Sequence, residues 1–211
     1  ALLARGTPRL SALPRNSPMP SPNFGDRRQG AKPSLIVLHY TAMSSCAEAR
    51  NRLCDPAFEV SAHWLISEQG HAEALVDESY RAWHAGAGEW AGITDVNSHS
   101  IGIELANSGE QPFTEPQMAA LEMLLGAIMQ RWSIGPQRII AHSDMAPQRK
   151  GDPGARFDWC RLADAGLSVW PGAGQADIAA FLPALHRFGY PDAPQAALLH
   201  AFRLRFRPWA Q

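Results

Sequence analysis

The stretch SLIVLHYT, residues 34–41, decides the fold. Leu35 to Leu38 form an unbroken apolar run of strand length, with no polar residue alternating into it. Such a run belongs to a strand covered on both faces, at the centre of a sheet. Working outward, SSCAEARNRLCD (44–55) reads as a helix with Ser44 or Ser45 as N-cap. SAHWLISEQG (61–70) reads as a strand entering a Gln-Gly turn, with AEALVDE (72–78) as its partner. SIGIELAN (100–107) and RIIAH (138–142) are further strands. TEPQMAALEMLLGAIMQRWS (114–133) is a capped amphipathic helix, with Thr114 as N-cap, Pro116 early and Gln117 at the third helical position. RAWHAGAGEWAGITDVNSHS (81–100) is Gly-rich and polar and is expected to be a long surface loop. Strands alternating with helices predict an α/β domain.

This domain is expected to span residues 34–174, between two appendages. Residues 1–33 hold six prolines, five arginines and one acid, Asp26, and read as a basic, Pro-rich arm with little ability to bury surface. Met19 lies inside that arm, so the first 18 residues read as an upstream extension. Residues 175–211 hold two short helical patterns around FGYPDAP (188–194). A formal net charge of -1 argues against a nucleic-acid or general membrane binder. No apolar run approaches the ~20 residues of a transmembrane helix. Three cysteines, Cys46, Cys54 and Cys160, are too few and too irregularly spaced for a disulfide framework and read as free thiols; a Cys46–Cys54 bridge is conceivable only in an exported protein. Oligomeric state is left open, with a monomer as the simplest case.

Three strands end in reactive side chains. LIVLH ends in His39 and RIIAH in His142. In SIGIELAN, Ile101, Ile103 and Leu105 share one face, so Glu104 points the other way, beside Gly102. Ligands of open α/β sheets sit beyond the carboxyl ends of the strands. The two histidines and Glu104 can therefore converge there, and Asp152 can reach back from the loop PQRKGDPG (147–154). Two imidazoles and a carboxylate are a suitable three-ligand set for a catalytic zinc, which lowers the pKa of its water to ~7. Glu104 then suits a general base, and Lys150 an oxyanion stabiliser. Taken singly, each strand-end histidine reads more readily as a hydrogen-bonded structural residue than as a ligand, and the His39…His142…Asp152 spacing is not a compact metal motif. Asp144 reads as a turn or cap residue.

IVLHYTA, SAHWLI, AWHAG, SIGIELAN and AHSDMAPQRKGDPG, taken together and in this order, resemble the bacterial N-acetylmuramoyl-L-alanine amidases of the amidase-2 type, relatives of peptidoglycan recognition proteins and phage amidases. The resemblance covers about residues 20–172. It implies a mixed central β-sheet flanked by helices, with one Zn²⁺ in a groove held by His39, His142 and Asp152. It implies Glu104 and Lys150 as catalytic residues, and cleavage of the amide between the lactyl group of N-acetylmuramic acid and L-alanine in peptidoglycan or a muropeptide. Some relatives have a Cys as third ligand; Cys160, eight residues beyond Asp152, is left out of the site.

Secondary assignments follow. Tyr40 is expected to line the site after His39, and Trp90 to offer its face to a sugar ring or to anchor its loop. His84 is expected to touch substrate or order its loop, and His63 to be structural. Arg149 is expected either to pair with a stem-peptide carboxylate or to remain a solvated loop charge. The tail resembles the opening of a small helical peptidoglycan-binding module and is expected to pack on the catalytic domain, being too short for a core of its own. The rival functions are a zinc peptidase cutting within the stem peptide and a non-catalytic peptidoglycan binder. ALLARGTPRL is too short in its apolar part for a secretory signal, which favours a cytoplasmic enzyme acting on anhydro-muropeptide; a removed leader would place it in the periplasm or at the outer membrane, acting on intact wall.

Overall fold

Among its described residues, the computed structural model has the strands β1 (Phe24–Gly25), β2 (Leu35–Tyr40), β3 (Trp64–Ile66), β4 (Ala72–Ala74), β5 (Arg81–Ala82), β6 (Ser100–Leu105) and β7 (Ile139–Ala141). The structure describes residues 20–172, 174–175 and 177–210. Five strands form one sheet in the order β4-β3-β6-β2-β7, so the apolar run of β2 is internal. β3, β6, β2 and β7 run parallel, and β4 lies antiparallel on β3, which makes the sheet mixed. β1 and β5 form a separate antiparallel pair.

The helices are α1 (Cys46–Cys54), α2 (Val96–His99), α3 (Glu115–Trp132), α4 (His142–Met145), α5 (Trp159–Asp164), α6 (Phe181–Phe188) and α7 (Gln195–Phe206). The caps follow from residue type: Ser45 Oγ accepts from the Glu48 amide at 3.2 Å, and Thr114 Oγ1 from the Gln117 amide at 3.3 Å. The side chain of Gln117 does not close a capping box. Its Nε2 turns inward and donates to the carbonyls of Ile66 and Ala106, 3.0 Å each, tying α3 to β3 and to the end of β6.

One face of the sheet presents Ile36, Leu38, Ile101, Ile103 and Leu105 to Leu121, Leu124, Leu125 and Ile128 of α3. The other presents Leu35, Val37 and Ile140 to a cluster containing Trp90, Val96, Met145, Leu185 and Leu198. The tail helices α6 and α7 thus share this second core with the sheet, which a segment of their length requires.

Two expectations are corrected. Residues 20–33 do not behave as an arm. Ser21 and Asn23 are buried; Ser21 Oγ donates to Leu53 O at 2.6 Å, and Arg27 donates to the carbonyls of Glu78, Ser98 and Ser100. The prolines of this segment, Pro20, Pro22 and Pro33, lie outside β1, where no ladder amide is needed. Residues 1–19 of the expected arm lie outside the described residues. Nor is 81–100 a surface loop: Ala82, Ala85, Trp90 and Val96 are buried, and the segment closes with α2. The three cysteines are free thiols. Among the described residues no helix is long and apolar enough to cross a membrane.

Candidate metal centre and active site

The parallel register of β2 and β6 sets His39 directly beside Glu104, and both side chains leave the sheet on the face of Leu35, Val37 and Gly102. β7 pairs with β2 from Ile36 to Leu38, so His142, the residue after β7, emerges next to His39. The loop after α4 is folded back by a Ser143 amide donating to Asp152 O at 3.0 Å, which brings Asp152 over the same edge.

Three atoms then face a common point. His39 Nδ1 lies 2.9 Å from His142 Nδ1 and 2.9 Å from Asp152 Oδ2, and His142 Nδ1 lies 3.0 Å from Asp152 Oδ2. All three residues are buried. The outer hydrogen bonds suit the Nε2-protonated tautomer of both rings. His142 Nε2 is 2.9 Å from the carbonyl of Ala85, which can only accept, so this nitrogen carries the proton and Nδ1 keeps its lone pair. On the other side, Ser100 donates its hydroxyl to Val96 O at 2.6 Å, leaving its oxygen to accept from His84 Nε2 at 3.2 Å. His84 Nδ1 is then an acceptor and takes the proton of His39 Nε2 at 3.0 Å. His39 Nδ1 therefore also points a lone pair inward. Burial first, and the neighbouring His142 second, lower the pKa of His39 to about 4, so the ring is neutral at pH 7.

Two inward lone pairs and a carboxylate oxygen at these separations repel unless a cation lies between them. Tetrahedral zinc with bonds of ~2.0–2.1 Å spaces its ligands about 3.3 Å apart, close to what is seen. The donor set, the tautomers and the outer hydrogen bonds all fit a metal ion.

A cleft of about 430 Å³ opens on this cluster, lined by Tyr40, Trp83, Glu104 and Lys150 besides His39, His142 and Asp152. Glu104 Oε2 is buried and has no hydrogen-bond partner among the described residues. Burial, then the charge of Asp152, push the Glu104 pKa well above the usual carboxylate range, while Lys150 opposes the shift.

Of the residues expected to meet substrate, Tyr40 does line the cleft, its ring packed against Gly109 and Gly154. His84 contributes to the cleft wall, and its two nitrogens are bonded to His39 and Ser100, so it orders His39. Trp90 is a correction. It is 1 % exposed and packs edge-on against Tyr190 and Phe188, so it anchors its loop to the tail and offers no face to a sugar. Arg149 also lines the cleft, and its Nη2 donates to Ala85 O at 2.8 Å and Ala87 O at 2.5 Å. His63 is structural, accepting from the Gly102 amide at 2.9 Å and reaching Tyr80 O at 3.1 Å.

Reasoning from sequence missed Ser100 and Gly102. A Cβ on Gly102 would lie 2.4 Å from His84 Cγ, so that glycine makes room for the imidazole behind His39. The run of small residues in SIGIEL was the available signal.

The fold and this cluster fit a class of hydrolase with a candidate metal site at one edge of a mixed α/β sheet. Residues 29–155 match the family described as N-acetylmuramoyl-L-alanine amidase, and the chain belongs to it. It is 37% identical over 220 residues to the N-acetylmuramoyl-L-alanine amidase AmiD of Escherichia coli, covering 85% of this chain and 78% of that protein. It is 37% identical over 159 residues to the 1,6-anhydro-N-acetylmuramyl-L-alanine amidase AmpD of Haemophilus influenzae, covering 67% and 86%. Among solved structures, the E. coli AmiD complex with the substrate anhydro-N-acetylmuramic acid-L-Ala-D-gamma-Glu-L-Lys superposes with a TM-score of 0.78 at 37% identity, covering 86% of this chain and 84% of that one. AmpDh3 of Pseudomonas aeruginosa in complex with anhydromuramic pentapeptide gives 0.75 at 31% identity, covering 95% and 91%. The chain is an N-acetylmuramoyl-L-alanine amidase, a hydrolase of peptidoglycan or muropeptide turnover.

Proposed function

We propose that this chain cleaves the amide between the lactyl group of N-acetylmuramic acid and L-alanine in muropeptides, the anhydro forms included, with zinc held by His39, His142 and Asp152. The observation that carries this reading is the convergence of two inward imidazole lone pairs and one carboxylate beside an unpartnered Glu104. The substrates named for the AmiD and AmpDh3 complexes support the choice of muropeptide.

A zinc ion in this position supplies Lewis acidity, polarising the scissile carbonyl and bringing the pKa of the attacking water to ~7. The protein's residues do the rest. Glu104, next to His39 across the strand pair, takes the proton of the attacking water and returns it to the departing amine of L-alanine. Lys150 offers its ammonium to the negative charge that grows on the carbonyl oxygen. His84 and Ala85 hold the two imidazoles with their lone pairs inward.

The test is mass spectrometry of anhydro-muropeptide digested by the purified, zinc-loaded chain. The expected products are a sugar with a free lactyl carboxylate and an intact peptide beginning at L-alanine. Cleavage inside the peptide would replace this reading by a stem-peptide peptidase.

A further inference from the structure

Asp144 lies two residues after His142 in α4 and is fully buried. Its Oδ2 accepts from the Ala141 amide at 2.9 Å and from Nη1 of Arg205, and its Oδ1 accepts from the Tyr190 hydroxyl. Tyr190 and Arg205 both belong to the tail. Arg205 is itself buried, and its Nη2 donates to Ile139 O at 2.9 Å and to Ser168 Oγ at 3.3 Å. Its guanidinium lies over the rings of Trp159 and Phe206, with centroids at 4.3 and 5.0 Å. One side chain of the tail thus grips the first residue of β7 and the third residue of α4. His142 sits between those two grips.

A buried ion pair is a poor device for stability alone, because desolvation offsets most of its attraction and apolar groups of the same volume do as well. What a hydrogen-bonded guanidinium and carboxylate supply is direction: the planar fork admits few arrangements of its partners. The turn that carries His142 has only four helical residues and cannot hold itself rigid. None of Asp144, Tyr190 or Arg205 lines the cleft, so none of them is placed to meet substrate.

We infer that the tail is a positioning device for the metal centre: Tyr190 and Arg205, through Asp144, fix the orientation of the ligand His142. This rests on the reading of His39, His142 and Asp152 as metal ligands. It gives helices α6 and α7 a task inside the catalytic domain, separate from any grip on the cell wall.

The experiment uses the full chain with two changes, Tyr190→Phe and the pair Asp144→Asn with Arg205→Met, which removes both charges together. Zinc affinity is measured by chelator competition, coordination by the visible spectrum of the cobalt-substituted protein, and folding by circular dichroism of the metal-free form. Loss of an outer-shell partner weakens metal binding by ~10- to 100-fold. The expected result is zinc binding about 10-fold weaker in Tyr190→Phe and about 100-fold weaker in the double variant, with an altered cobalt spectrum, at temperatures where the metal-free chains remain folded. Wild-type zinc affinity and cobalt spectrum in folded variants, whatever their melting temperature, would overturn the inference. If the double variant does not fold, Tyr190→Phe decides by the same criterion. A wild-type chain that binds neither zinc nor cobalt overturns the metal reading and this inference with it.

Discussion

His39 Nε2 lies 3.0 Å from His84 Nδ1, and that single hydrogen bond decides which nitrogen of His39 carries the proton. It is made directional by Ser100, which can accept from His84 because its own proton goes to Val96 O. His84→Ala leaves His39 free to take the other tautomer and is expected to weaken zinc binding by ~10- to 100-fold, with the fold retained. Gly102→Ala is expected to act in the same direction by driving a Cβ into the His84 ring. Chelator competition measures both, and unchanged affinity in His84→Ala would remove it from the outer shell.

Glu104→Gln keeps the shape of the side chain and loses the ability to take a proton. It is expected to retain zinc and muropeptide binding while kcat falls by ~10²- to 10⁴-fold. The check is a pair of measurements on the same preparation, metal content and turnover. Wild-type turnover would exclude Glu104 as the base.

Lys150→Met tests the cation beside the carbonyl. Loss of one donor to a developing oxyanion costs about 2.7–4 kcal/mol of transition-state stabilisation, so kcat should fall by about 10²- to 10³-fold with KM nearly unchanged. If Lys150 instead grips a stem-peptide carboxylate, KM rises, kcat stays, and the penalty shrinks on a shortened peptide.

Burial, then the charge of Arg27, lower the pKa of His63 to about 4 from an ordinary 6.5. Below pH 6.5 the unfolded chain takes up a proton on this ring that the folded chain refuses until about pH 4. Stability therefore falls as pH drops through that window, by up to about 1.4 kcal/mol per pH unit for the one ring, and is unaffected by it above. Urea unfolding of the metal-free protein at pH 7, 6 and 5 should show a falling midpoint. His63→Gln, which cannot titrate, should flatten part of that fall, and an identical slope in the variant would contradict the assignment.

The strand-borne part of the site was readable because period-two geometry is local. The apolar run of β2, the opposite facing of Ile103 and Glu104, and the placement of histidines at strand ends all follow from residues within one segment. What could not be read depends on partners far along the chain. Trp90 looks like an exposed ring in a Gly-rich loop until Phe188 and Tyr190 cover it. Arg205, in a tail sequence rich in arginine, looks solvated; its acid lies 61 residues upstream. Arg149 was legible as a cation near the site, but its acceptors, the carbonyls of Ala85 and Ala87, carry no signature in the side-chain sequence.

His84 and Ala85 are consecutive residues, and each receives the outer proton of a different ligating imidazole. These two histidines, 103 residues apart, are thus suspended from one dipeptide unit, one from the His84 ring and the other from the Ala85 carbonyl. A shift of that unit cannot loosen one histidine and spare the other. Any attempt to transplant the centre into another scaffold must carry the AWHAG segment along with the three ligands, since the ligands alone would arrive with their lone pairs unassigned.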